Sequence, residues 1–139
     1  MVSRRQLLLG AAGLAEGSTL AGGGGAIAAE ASASGARALA VVGGDGAISH
    51  AVRGLLAGEA GGGARVPLAI FAAGTGNDFA KSLAVPVHHV QRMAAHAAAG
   101  ATHDVDVGFV NDVPFVNAAG FGFDVEVLRG EKFVPPAEA

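Results

Sequence analysis

Ala38-Leu39-Ala40-Val41-Val42 runs directly into Gly43-Gly44-Asp45-Gly46. About thirty residues later Pro67-Leu68-Ala69-Ile70-Phe71 runs into Ala72-Ala73-Gly74-Thr75-Gly76-Asn77-Asp78. A short apolar run closed by glycine reads as a buried strand. Two of them, each ending in a glycine-rich turn, place two flexible backbone segments at the ends of neighbouring strands. Glycine lets backbone N–H groups lie close to an anion. Each turn adds one carboxylate, Asp45 or Asp78. Backbone donors beside an acid suit a phosphate chain and its Mg²⁺.

The segments around the turns complete an α/β pattern. From Gly46, apolar residues recur at helical spacing, with Ile48, Val52, Leu55 and Leu56 on one face, until Gly58 and Gly61-Gly62-Gly63. A short helical turn is expected after Asn77, ending before Pro86. Val90, Met93, Ala94 and Ala97 mark another amphipathic helix, closed by Gly100. From Val105 the period changes to two, with Val105, Val107 and Phe109 on one side of a strand. Asn111-Asp112 forms a two-residue hairpin turn into Val113–Asn117. The expected fold is a small, mainly parallel sheet covered by helices and ending in a β-hairpin.

The two turns, in this order and spacing, resemble the catalytic domain of the diacylglycerol kinases and related bacterial lipid kinases. A third block, Val105-Asp106-Val107-Gly108 and then Phe115-Val116-Asn117-Ala118-Ala119-Gly120-Phe121-Gly122-Phe123-Asp124, agrees. Gly-Gly-Asp-Gly is shared with NAD kinases and phosphofructokinases; Gly-Thr-Gly-Asn-Asp is more specific to the lipid kinases. The resemblance covers roughly Leu39 to Val127. It implies ATP-dependent phosphorylation of a lipid hydroxyl at a membrane surface, a role in phospholipid biosynthesis, and ATP and Mg²⁺ as cofactors. Gly43, Gly44, Asp45 and Gly46 of the first turn, with Gly74, Thr75, Gly76 and Asn77 of the second, would meet the nucleotide. Asp45, Asp78 and Asp106 would form a carboxylate–water–Mg²⁺ network. The catalytic base would be an acid in a second domain beyond this sequence, and the full-length proteins leave a homodimer open.

Each of these residues also has a plainer reading. Asp45 is a favoured residue for capping its own helix, and Asn77 or Asp78 for capping the next. Asp106 lies on the polar side of an alternating strand, where a solvated side chain is ordinary, and Asp104 shares that side. Asp124 reads as a turn or cap residue. Two positions depart from the family pattern: Ala47 replaces the usual Thr, and Ala72-Ala73 stands where a Pro is usual. Alternatives to the lipid kinase are an inactive nucleotide-binding remnant or an NAD or sphingoid-base kinase. Sphingoid-base kinases generally lack the acid found here as Asp78.

Composition excludes other classes. The 139 residues are 51% hydrophobic and 15% charged, with net charge −3 and no Cys. Disulfides and thiolate zinc sites are absent, and without a basic cluster nucleic acid is not an expected partner. His89 and His96 are seven apart, too far for a helical ligand pair. No apolar run nears the roughly 20 residues needed to span a bilayer.

Residues 1–35 are rich in Ala, Gly and Ser and read as a poorly ordered leader, with helix around Ala26–Ser32. Residues 36–139 read as a partial catalytic domain without the family's first strand. Ser3-Arg4-Arg5-Gln6-Leu7-Leu8-Leu9 resembles a twin-arginine export signal. The kinase reading makes the protein cytoplasmic and peripheral to the membrane; the signal-like segment makes export the alternative.

Overall fold

The computed structural model describes residues 5–9 and 24–120. The elements run β1 (Arg5–Leu9), α1 (Gly24–Ala33), β2 (Leu39–Gly43), α2 (Asp45–Ala60), β3 (Leu68–Ala72), α3 (Asp78–Ser82), α4 (Val90–Ala98), β4 (His103–Val110) and β5 (Val113–Phe115). They build one five-stranded sheet in the order β2-β3-β1-β4-β5. β2, β3 and β1 are parallel, and β4 and β5 are added antiparallel. This is the α/β architecture expected from the two strand-turn motifs and the switch to period two.

The core lies between the sheet and α2. Ile48, Val52, Leu55 and Leu56, spaced for one helical face, are buried with Leu39, Val41, Leu68 and Ile70 of β2 and β3. Burying each large aliphatic side chain contributes roughly 1.5–3 kcal/mol. On α4, Met93 and Ala97 are buried as the spacing predicts, but Val90 is 65% exposed. It is the first residue of the helix. The hairpin turn is as expected: Asn111 and Asp112 both take positive φ, 47° and 63°, the geometry of a turn that matches strand twist. β5 is shorter than predicted, ending at Phe115. Asn117, with φ 75°, has left the extended region.

The N-terminal segment departs furthest from the sequence reading. Arg5–Leu9, expected in a leader, forms a strand between β3 and β4, so a strand does precede β2. Gly24–Ala33 is a helix packed along α2, burying Ala28 and Ser32 completely. The contact uses small residues. A side chain at Gly54 would strike the carbonyl of Gly25, and its Cβ would sit 2.7 Å from that of Ala28. One at Gly58 would lie 2.6 Å from Ser32 Cβ. Backbones this close exchange many weak dispersion contacts, even though little apolar area is buried. Ser32 then ties α1 to the loop before β3. Its hydroxyl donates to the Ala64 carbonyl at 2.7 Å, and the Ala64 N–H donates to the Ser32 carbonyl at 2.8 Å.

Helix ends complete the scaffold. α1 closes on Gly35 at φ 66°, with the Ala36 N–H donating to the Ala31 carbonyl. α3 closes in the same way, with Val85 N–H on the Ala80 carbonyl and Ala84 N–H on that of Lys81. Its left-handed residue is Ala84, at φ 55°, a conformation that costs a residue with a Cβ about 1–2 kcal/mol. Two substitutions should therefore move stability in opposite directions. Ala84→Gly should stabilise by about 0.5–1 kcal/mol, the relieved strain less the added freedom of the unfolded chain. Gly54→Leu should destabilise by at least about 1–3 kcal/mol, because α1 must move off α2. Urea unfolding of both variants checks the pair, and no change in Gly54→Leu would show that α1 is not part of the packed domain.

Candidate nucleotide site

The two glycine-rich turns meet at the C-terminal ends of β2 and β3, and three separate contacts join them. The strand ladder continues past Ala72, with the Ala73 N–H donating to the Gly43 carbonyl at 3.0 Å. Next, the backbones of Gly44 and Gly74 touch. A Cβ on Gly44 would come within 3.0 Å of Gly74 Cα, and one on Gly74 would meet Gly44 Cα. Glycine is needed at both positions because backbone occupies the space a side chain would take. The third contact is Asp45. Its Oδ2 accepts the Asp78 N–H at 3.1 Å and its Oδ1 the Phe79 N–H at 2.9 Å.

Asp45 therefore caps a helix other than its own. α2 begins at Asp45 with Gly44 as its cap residue and no side-chain capping bond. The carboxylate reaches across to the first turn of α3, whose amides would otherwise have no partner. Phe79, the next residue of that turn, is buried in the main core, so the bridge is anchored at both ends. Burial raises the Asp45 pKa, but the amide hydrogen bonds from Phe79 and Asp78, aided by those of Asp45 and Asn77, outweigh it. The net position is below the usual 3.8.

The second turn is held from inside. Asn77 is fully buried at φ 56°. Its Oδ1 accepts the Gly74 N–H at 2.8 Å, and its Nδ2 donates to the Gly74 carbonyl at 2.6 Å. Its side chain turns back into its own loop and makes no cap on α3. Thr75, Gly76 and Asp78 are exposed. Asp78 pairs with Lys81 at 3.5 Å, both side chains more than half exposed, a geometry that contributes little.

Both carboxylates lie beside Gly76. A Cβ placed on Gly76 would lie 3.3 Å from Asp45 Oδ2 and 3.3 Å from Asp78 Oδ2. Gly46, in the first turn of α2, faces open space. The 16-residue α2 directs the positive end of its dipole into the same region.

Of the residues singled out in the sequence, Gly43, Gly44, Asp45, Gly46, Gly74, Thr75, Gly76, Asn77 and Asp78 are brought together at these two turns. Asp106 is not. Among the described residues, β1 meets β3 at Leu9 beside Leu68, the first residue of β3. β4 then runs back along β1, with His103 beside Leu9 and Asp106 beside Gln6. Asp106 thus sits at the far end of the sheet from the turns, an offset on the order of 20 Å at 3.3 Å per strand residue. Asp104, its neighbour on the same side, pairs with Arg65 at 2.6 Å. Among the described residues no group of three or more acidic or histidine side chains forms a metal cluster. Phe121 to Asp124 lie outside the described residues. Two features were missed in the sequence: the reach of Asp45 to a second helix, and the inward turn of Asn77. The only local signal was their setting, an Asp and an Asn each beside glycine in a motif of a recurrent kind.

The two glycine-rich turns, joined backbone to backbone with an acid in each, lie within the part of the chain that matches a known family. The chain belongs to the diacylglycerol kinase catalytic domain family, whose model matches residues 12–110. It is 36% identical to a diacylglycerol kinase of Bacillus subtilis (strain 168) over 80 residues, 58% of this chain and 25% of that protein. It is also 36% identical to a diacylglycerol kinase of Mycobacterium tuberculosis over 97 residues, 66% of this chain and 29% of that protein. The chain thus spans between a quarter and a third of the length of these relatives. No solved structure matches it. The family match begins well inside residues 1–35, in keeping with α1 being part of the domain.

The depressed Asp45 pKa has a definite consequence. A carboxyl lowered on folding stabilises the native state above its unfolded pKa and loses that contribution as pH falls through the folded value. Asp45→Asn should therefore be less stable than the parent at pH 7, and the difference should shrink as pH drops below about 3.8. Chemical unfolding across pH 2.5–7 measures it; a difference independent of pH would show that the charge of Asp45 does not hold the turns together.

Proposed function

We propose that this chain supplies the nucleotide-binding part of an ATP-dependent lipid kinase, acting on the hydroxyl of a diacylglycerol-like lipid at a membrane surface. The observation that carries the reading is that Asp45 Oδ2 and Asp78 Oδ2 both lie beside Gly76, near the N-terminus of α2. Paired carboxylate oxygens suit a hard divalent cation, and Mg²⁺ bound with a nucleotide commonly takes one or two protein carboxylates and leaves its other positions to phosphate and water. Asp78 would hold the cation, with Asp45 completing the pair. The backbone at Gly46 and at Thr75-Gly76 would lie along the phosphates, since these positions are open or exposed. Asp106 has no part in this arrangement.

In phosphoryl transfer most of the catalytic effect comes from positioning and from neutralising charge on the phosphates. When bound, Mg²⁺ supplies that neutralisation. The residues of this chain orient the phosphates against a fixed backbone surface and keep the two carboxylates at a set separation. Ala47 stands where the family usually has a Thr, so one hydroxyl is missing beside the first turn. The names of the relatives support diacylglycerol as acceptor. Among the described residues no helix is long and apolar enough to cross a membrane.

Calorimetry with ATP, with and without Mg²⁺, tests the site. The chain should bind Mg·ATP, and Asp78→Asn should weaken that binding by roughly 1–3 kcal/mol, the loss of a charge-assisted contact. Binding without Mg²⁺ should change much less. Equal Mg·ATP affinity in parent and variant would remove Asp78 from the site. Transfer of labelled phosphate to diacylglycerol in mixed micelles, assayed in parallel, tests the acceptor.

A further inference from the structure

The side chain of Asn77 has no exposed surface at all, which separates it from every other polar side chain of the two turns. Both its polar atoms are spent on one residue, Gly74. Its backbone carbonyl accepts the Lys81 N–H at 3.0 Å, the first bond of α3. With no exposed surface, the side chain presents no atom to a ligand. Yet Gly74 is the residue whose backbone lies against Gly44, so whatever fixes Gly74 fixes the spacing between the turns.

We infer that Asn77 is a positioning residue for the nucleotide: it touches no ligand, and its paired hydrogen bonds to Gly74 set where the Thr75-Gly76 backbone faces the phosphates. This rests on the nucleotide reading above. The amide side chain is suited to the task. It donates and accepts at once, matching the N–H and the carbonyl of a single residue, and Asn enters the left-handed region more readily than most side chains. Asp can accept from Gly74 but cannot donate to it. Leu fills the volume and does neither.

Asn77→Gly separates positioning from folding, because Gly adopts φ 56° without strain while both bonds to Gly74 disappear. Ser32→Ala serves as control. It removes a buried hydroxyl bonded to the Ala64 carbonyl in the α1–loop contact, outside the two turns, and should lower stability without touching the turns. Three readings are taken on the full chain: thermal unfolding, Mg·ADP affinity by calorimetry, and exchange of the Gly74 amide proton by NMR without nucleotide. Asn77→Gly should remain folded, exchange the Gly74 proton at least tenfold faster and lose roughly tenfold in Mg·ADP affinity, the scale of one to two net hydrogen bonds. Ser32→Ala should keep parental affinity and Gly74 exchange. Asn77→Asp, which retains only the acceptor, should fall between parent and Asn77→Gly in exchange.

If the parent binds Mg·ADP and Asn77→Gly binds it equally well, the positioning role is overturned and the nucleotide site stands. If Ser32→Ala loses affinity in step with stability as Asn77→Gly does, the effect is one of stability and the inference also fails. If the parent binds no nucleotide, the functional reading falls and this inference with it, whatever the Gly74 exchange shows.

Discussion

The carboxylate of Asp45 accepts the N–H groups of Asp78 and Phe79 at 3.1 and 2.9 Å, and the geometry of the site depends on that bridge. Asp45 begins the helix after β2, while Asp78 and Phe79 begin the helix after β3. Without it, the two turns would share only the end of a strand ladder and a glycine–glycine contact. α3 has only five residues, too short to hold itself by its own hydrogen bonds. It persists because Phe79 is buried beneath it and because Asp45 satisfies its first amides. The acid of the first motif thus builds the second.

The same economy explains the glycine content of the turns. Gly44 and Gly74 are small because each backbone occupies the other's side-chain space, and Gly76 is small beneath two carboxylate oxygens. Gly46 faces open space and is the position left for a ligand. Glycine in one motif therefore serves close packing of the scaffold at some residues and, in the proposed function, access for phosphate at others.

Much of the fold was legible because its signals are local. The four apolar residues of α2 repeat at helical spacing and are buried, and Asn111-Asp112 turns the hairpin with both residues at positive φ. The α1–α2 contact was not legible beyond a short helical stretch. It is made by Gly25, Ala28 and Ser32 against Gly54 and Gly58, residues that carry no hydrophobic periodicity and look like linker composition. Their contribution comes from backbone proximity, which appears only when two helices are placed together. Likewise Arg5–Leu9 is too short to announce a strand without its neighbours. For the site, spacing put Asp45 and Asp78 at the ends of neighbouring strands, and the structure has the Asp78 N–H on the Asp45 carboxylate there. Spacing could not show that Asp45 is occupied with amides, that Asn77 faces inward, or that the register of β1 and β4 carries Asp106 away. Those are consequences of tertiary placement.

The central claim is that the two turns act as one nucleotide-binding unit, and NMR of the backbone amides during titration with Mg·ADP tests it most directly. Gly46 and Ala47 of the first turn, and Thr75, Gly76 and Asp78 of the second, should shift along a single binding curve with one midpoint. Shifts confined to the first turn, with Gly76 and Asp78 unmoved at saturation, would contradict the account.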